Sequence, residues 1–264
     1  MLILLPPSEG KTRPQTGPIL NLNHIEPGST QLAHARQEVL HHLQNVSSHE
    51  NALNVLGVGK RIAPEIAANT QLTDAPCAPA REIYSGVLYE AGNLAQEHAN
   101  LTETGRARVQ TLVQSALFGV VDLASPIPAY RLSIGVKLPP LGALATWWRP
   151  HLDPVMSELA DHHQIVVDAR SGQYRQAWPT TNTKADVITV SAVRIKNGKR
   201  SVVSHAAKRY RGILAGALLN RAEQTENTFD YVLQTARTLI GDEVSGIEVE
   251  ETNGALDLVI VTRT

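Results

Sequence analysis

Two glycines separated by one residue, followed at once by a lysine and an arginine, are the sharpest chemical signal in the chain. The stretch Asn51–Ile66 sets Leu56-Gly57-Val58-Gly59 between two apolar-periodic segments, which predicts a helix, a tight turn and a second helix. Gly57 and Gly59 suit positive φ and let another backbone come close. Val58 points into the pair, Ala63 is small where the helices cross, and Leu53, Leu56, Ile62 and Ile66 form the seam. Pro64 is tolerated because it falls in the first turn of the second helix. In such a helix-hairpin-helix element, over about residues 50–70, unpaired N–H groups face outward toward an anion. Lys60 and Arg61 stand beside them to contact neighbouring phosphates. The chemistry this predicts is sequence-nonspecific grip on a nucleic-acid backbone. The alternative is a tight corner that only packs against the sheet.

Other candidates carry less. Ser8-Glu9-Gly10-Lys11-Thr12 follows a strand-like run, but a phosphate-binding P-loop needs glycine where this chain has Leu5, so no nucleotide triphosphatase is expected. Lys11 and Thr12 remain able to bind an anion from a loop at a strand end. The adjacent pairs His41-His42 and His162-His163 share no helix face and lack ligand spacing, so no metal site is expected, and no cofactor. Trp147-Trp148 reads as core or interface, and Cys77 as a small side chain in a Pro-rich connector.

The elements that must hold these residues follow from hydrophobic periodicity. Residues 2–5 are consecutive aliphatics and predict a buried first strand, with a polar loop to about Pro27. Ser29 or Thr30 caps a helix to about Val46. Residues 80–113 read as mainly helical, interrupted near Ser85-Gly86. Ser115–Val121 is apolar and β-prone. Helices are expected at 142–149 and 153–161, a buried strand at Ile165–Val167, and further helices at about 207–220 and 228–239. Asn197-Gly198 and Asn253-Gly254 are hairpin signals joining Asp186–Lys196 to Lys199–His205 and 244–251 to 256–262. Buried runs mixed with hairpins predict an α/β (α+β) fold: a mixed sheet flanked by helices, with a helix-hairpin-helix insertion, in one domain over residues 1–264.

Composition bounds the function. The chain has 264 residues, 42% hydrophobic, with a formal net charge of −1, which excludes a bulk polycation and leaves a focused anion site. A single cysteine permits no internal disulfide and fits a reducing compartment. With no signal-peptide pattern and no membrane-length apolar run, a cytoplasmic protein without membrane association is expected.

Several ordered blocks resemble the YaaA family of bacterial peroxide stress resistance proteins. They are Met1-Leu2-Ile3-Leu4 with the Ser8–Thr12 loop, Ile83-Tyr84-Ser85-Gly86, Ala116–Leu123 followed by Pro128-Ala129-Tyr130-Arg131-Leu132, Trp147-Trp148, Ser171 with Tyr174, and Ala207-Lys208 with Arg211-Gly212. Gln173 stands where the family usually has Glu. The resemblance implies a compact α/β fold with a helix-hairpin-helix motif, binding to duplex and branched DNA, a role against oxidative damage, and a positively charged cleft. Lys11, Thr12, Tyr84, Arg131, Ser171, Tyr174, Lys208 and Arg211 are the candidates to line it. Most sit at predicted element ends, where sites on α/β sheets form. Two readings stay open. In one, hairpin and cleft both bind DNA phosphates. In the other, an enzyme acts on a nucleotide, nucleobase or nucleic-acid substrate, with Tyr84, Tyr174 or Lys208 in catalysis and the tyrosine pKa lowered by nearby Lys and Arg. A small phosphate-bearing ligand suits the same cleft. The structural alternative to both is that Arg131, Lys208 and Arg211 form ion pairs with residues such as Asp122 or Asp168.

Overall fold

The computed structural model describes residues 1–196, 199–224, 227–252 and 255–263. Leu2–Leu5 (β1) and Ile165–Asp168 (β8) are buried at every position, as strands covered on both faces must be. They form the centre of an eight-stranded sheet with Gln110–Ser115 (β3), Gly119–Asp122 (β4), Asp186–Lys196 (β9), Lys199–Val202 (β10), Val244–Thr252 (β11) and Ala255–Thr262 (β12). The order is β11-β12-β9-β8-β1-β3-β4, with β10 also on β9. Strands β12, β9, β8, β1 and β3 are parallel to their neighbours in that run, whereas β4, β10 and β11 add antiparallel edges. The mixed sheet expected from the sequence is therefore present, with a parallel centre. Two short ladders lie outside it, Ala78–Pro79 (β2) with Pro126–Ile127 (β5) and Lys137–Leu138 (β6) with Gly142–Ala143 (β7). Residues 197–198 and 253–254, the hairpin signals of the sequence, lie outside the described residues. The ladders beside them run from Lys196↔Lys199 and from Thr252↔Ala255, the register of two-residue hairpins.

Thr30–Ser47 (α1) starts as expected, with Ser29 Oγ accepting from Leu32 N at 3.1 Å. Its Arg36 is fully buried and ties distant loops together, donating to the carbonyls of Phe118, Ile25, Pro27 and Val120 at 2.8–3.1 Å. Four expectations change. Residues 80–108 form Ala80–Ile83 (α4), Val87–Ala91 (α5), Leu94–Ala99 (α6) and Glu103–Arg108 (α7), but β3 begins at Gln110, because that run is drawn into the buried ladder beside β1. Ser115–Val121 is no single strand: Ser115 ends β3, 116–118 form a turn, and β4 begins at Gly119. The helices expected at 142–149 and 153–161 are one helix, Leu144–Asp161 (α8), which runs through Pro150 and Pro154. The buried row Leu144, Trp148, Leu152, Met156 and Ala160, spaced by four, holds it to the core despite the missing N–H groups. Finally, β10 stops at Val202 and the next helix, Ser204–Asn220 (α10), begins earlier than expected. Phe229–Arg237 (α11) follows.

Candidate functional site

The parallel centre of the sheet creates the site. From β1 the chain moves to β3 on one side, and it later returns to β8 on the other side of β1. Loops leaving the carboxyl ends of β1 and β8 thus diverge, and a crevice opens between them. A cavity of about 860 Å³ lies there. Its walls are the loop Pro6–Lys11 after β1, Ser171–Tyr174 after β8, Ser85–Tyr89, Arg131–Ser133, the Ala207, Lys208 and Arg211 face of α10, and the turn Leu56–Gly59. Gly172–Ala177 (α9) carries Tyr174. Six of the eight cleft residues expected from sequence are thereby brought together: Lys11, Arg131, Ser171, Tyr174, Lys208 and Arg211. Tyr84 and Thr12 do not line the cavity. Tyr84 is buried beneath Lys11, and exposed Thr12 spends its N–H on Ile83 O at 2.8 Å.

Lys11 is held from several sides. Its backbone bridges that of Tyr84, and its Nζ donates to Ser8 O at 2.7 Å. The same Nζ lies 4.2 Å from the centre of the Tyr130 ring and 5.5 Å from that of Tyr84. Burial, followed by the neighbouring Arg131 charge, lowers the Lys11 pKa to about 7. Under it, Tyr84 Oη, Tyr130 Oη and Ser115 Oγ form a chain at 3.0 and 2.7 Å.

Arg131 lines the cavity as a paired cation, with partners other than those considered from the sequence. It pairs with Glu9 at 3.0 Å and Glu65 at 3.5 Å, not with Asp122 or Asp168. Its backbone is clamped by buried Asn69, which donates to Arg131 O and accepts from Arg131 N, both at 2.9 Å. Asn69 follows directly on Ala63–Ala68 (α3), so the helix after the Leu56–Gly59 turn positions this residue. Arg211 donates from Nε to Val190 O at 2.8 Å, on the stretch of β9 between its pairings with β8 and β10. Lys208 is exposed on the same helix face.

The expected lowering of the tyrosine pKa values is overturned. Burial pushes both Tyr84 and Tyr174 well above the ordinary phenol range, and this outweighs the hydrogen bonds and the Arg131 charge that act the other way. These hydroxyls stay protonated donors. The Cys77 thiol is likewise pushed up by burial, to about 11.

Sequence reading missed the buried ion cluster at the carboxyl end of β8. Fully buried Asp168 accepts from Arg170 Nε and Nη2, each at 2.9 Å, and pairs with Arg175 at 3.3 Å. Burial alone would raise its pKa, but the two guanidiniums hold the carboxyl below its usual range. Arg170 also donates to Gln114 on β3. An Asp at the carboxyl end of a buried strand, two residues before an Arg, was the available signal.

The turn beside the cavity is geometrically simple. Ala52–Val55 (α2) ends at Leu56, Gly57 takes φ +65°, Val58 N donates to Leu53 O at 2.9 Å, and a 3-10 turn Lys60–Ile62 leads into α3. A Cβ on Gly57 or Gly59 would meet no atom within 4 Å. Gly59 has φ −79°, so its expected positive φ is corrected: the backbone there needs no glycine. Lys60 and Arg61 are exposed next to the turn.

The sequence pattern of the peroxide stress protein YaaA family matches residues 1–232. The chain belongs to the YaaA family. Its similarity to other members runs along most of its length. It is 39% identical over 253 residues to a UPF0246 protein of Corynebacterium glutamicum, covering 95% of each chain. It is also 39% identical over 236 residues to a UPF0246 protein of Streptomyces coelicolor, covering 88% of each. With a protein of Campylobacter jejuni the identity is 30% over 219 residues, covering 81% of this chain and 82% of that one. The YaaA match takes in the whole cavity wall, from Pro6 to Arg211. Among the described residues, no helix is long and apolar enough to cross a membrane.

Proposed function

We propose that this YaaA-family protein binds DNA, duplex or branched, through backbone phosphates without reading base sequence, and does so in the cytoplasm as part of the response to peroxide. The observation that carries this reading is that one cavity has the Leu56–Gly59 turn in one wall and Ser171, Lys208 and Arg211 in others. Gly57 and Gly59 face open space there, leaving room for a sugar-phosphate backbone. We read α2, the turn and α3 as a helix-hairpin-helix element, with Lys60 and Arg61 reaching flanking phosphates. In this reading Lys208 and Arg211 supply the positive charge of the cavity, since Glu9 and Glu65 largely offset Arg131. The test is a titration against labelled duplex, four-way junction and single-stranded DNA at two salt concentrations. Binding should fall with salt across unrelated sequences, and the slope should flatten in Lys60→Ala/Arg61→Ala and in Lys208→Ala. Binding that is absent at low salt, or unchanged in these variants, refutes the reading.

A second reading, an enzyme acting on a nucleotide, nucleobase or nucleic-acid substrate, is favoured by one observation: the Lys11 amine held half-buried in the cavity wall with a pKa lowered to about 7. Here Lys11 would move the proton or attack. Tyr84 would steady it from below, and Tyr174 would donate a hydrogen bond. Under this reading Lys208→Ala reduces turnover more than binding.

A further inference from the structure

We infer that Lys11 is an imine-forming residue, whose amine captures the aldehyde of a ring-opened deoxyribose phosphate admitted to this cavity. The inference rests on the DNA-binding reading for its macromolecular source and on Lys11 itself for its chemistry.

A neutral amine has two N–H bonds and one lone pair. Around Lys11 Nζ, the carbonyl of Ser8 accepts one N–H at 2.7 Å, and the centre of the Tyr130 ring lies 4.2 Å away. Lys11 itself lines the cavity, so its amine stands in the same wall as the phosphate anchors. The carboxylates Glu9 and Glu65, which would favour the ammonium form, are engaged by Arg131. An ordinary lysine is neutral in roughly one molecule in a few thousand at pH 7, whereas a group titrating near pH 7 is neutral about half the time. Lys11, lowered to about 7, is in the second class.

The same cavity suits the rest of the ligand. The Arg211 guanidinium, the exposed Lys208 ammonium and the Ser171 hydroxyl are donors for phosphate oxygens. An aldehyde carrying one or two phosphate esters therefore fits both the nucleophile and the anchors. Such an aldehyde arises where a base has been lost from DNA and the sugar has opened, or as a free sugar phosphate.

The step balances without a co-reactant. The Lys11 nitrogen lone pair attacks C1′ of the aldehyde, and the carbonyl oxygen takes a proton to give a carbinolamine. That hydroxyl then leaves as water, carrying the second proton from nitrogen, and a C=N bond forms. Addition of water reverses the sequence and frees the lysine.

The test is trapping with sodium borohydride, which delivers hydride to the C=N bond and makes the adduct permanent. The whole protein is incubated with a duplex carrying one abasic site, and separately with free deoxyribose 5-phosphate. Trapped adduct is mapped by peptide mass. Binding to a duplex with a tetrahydrofuran abasic analogue, which has no aldehyde, is measured alongside. The expected result is an adduct on Lys11, rising with a midpoint near pH 7 and falling by about tenfold or more in Lys11→Arg. Because wild-type protein alone yields the mapped position, a folding defect in the variant would not spoil the test. Adducts confined to Lys60 or Lys208, or no adduct despite tight binding of the analogue duplex, would overturn the inference and leave DNA binding standing. An adduct on Lys11 with the free sugar phosphate, but no binding to any duplex, would uphold Lys11 and refute the DNA reading.

Discussion

At the scale of single residues, the buried charges decide which substitutions matter. Asp168 compensates two guanidiniums at the carboxyl end of β8. Asp168→Asn leaves Arg170 fully buried without its counter-charge, and should cost about 3–5 kcal/mol in a denaturant titration. Arg36→Met strands four buried carbonyls at once, and a loss of similar size, about 3–5 kcal/mol, is expected. The role of Arg36 was not legible from the sequence, where it looks like any helix Arg, and that of Asp168 was signalled only by its place at a strand end two residues before Arg170. Arg131 teaches the same lesson in reverse. Its type and position suggested a phosphate ligand, but Glu9 and Glu65, far apart in sequence, meet it only in the fold.

At the scale of elements, two glycine sites make opposite predictions. Gly212 on α10 abuts α5 so closely that a Cβ would sit 1.9 Å from Leu88 O. Gly212→Ala must push the two helices apart, tilt the Lys208 and Arg211 face, and destabilise by about 2–4 kcal/mol, measurable by thermal or urea unfolding. At the Leu56–Gly59 turn, by contrast, Gly59 has an ordinary φ and open space around it. Gly59→Val should therefore leave stability within about 0.5 kcal/mol. If the turn holds a DNA backbone, the same change should weaken DNA binding by about tenfold through steric exclusion. Stable protein with unaltered binding would mean that the turn is only a corner of the fold.

At the scale of the whole molecule, stability should fall on the acid side. His98, buried on α6, has its pKa lowered to about 4, chiefly by burial and then by Arg81 and Arg106. The unfolded chain takes up that proton near pH 6.5 and the folded chain only near 4, so the unfolded state binds more protons in between. The stability is complete above pH 6.5 and is lost as pH falls toward 4, by about 3 kcal/mol from this group. His163, lowered to about 4 as well, acts in the same direction. His98→Leu should flatten the curve of unfolding free energy against pH over that window.

Sequence alone determined what depends on local periodicity and turn chemistry: the buried first strand, the Ser29-capped helix, the hairpin registers of a mixed sheet, and a glycine turn followed by Lys60 and Arg61. Such features are set by neighbours a few residues away, so their residue types suffice. Family membership was legible too, because its blocks recur in order along the chain. Only the tertiary structure decided which strands lie side by side, that the β1 and β8 ends open one cavity, and that the turn forms its wall. It also decided protonation. The pKa of Lys11 falls and those of Tyr84 and Tyr174 rise because water is excluded around them. Desolvation depends on packing by segments more than a hundred residues apart in the chain, and no local spacing encodes it.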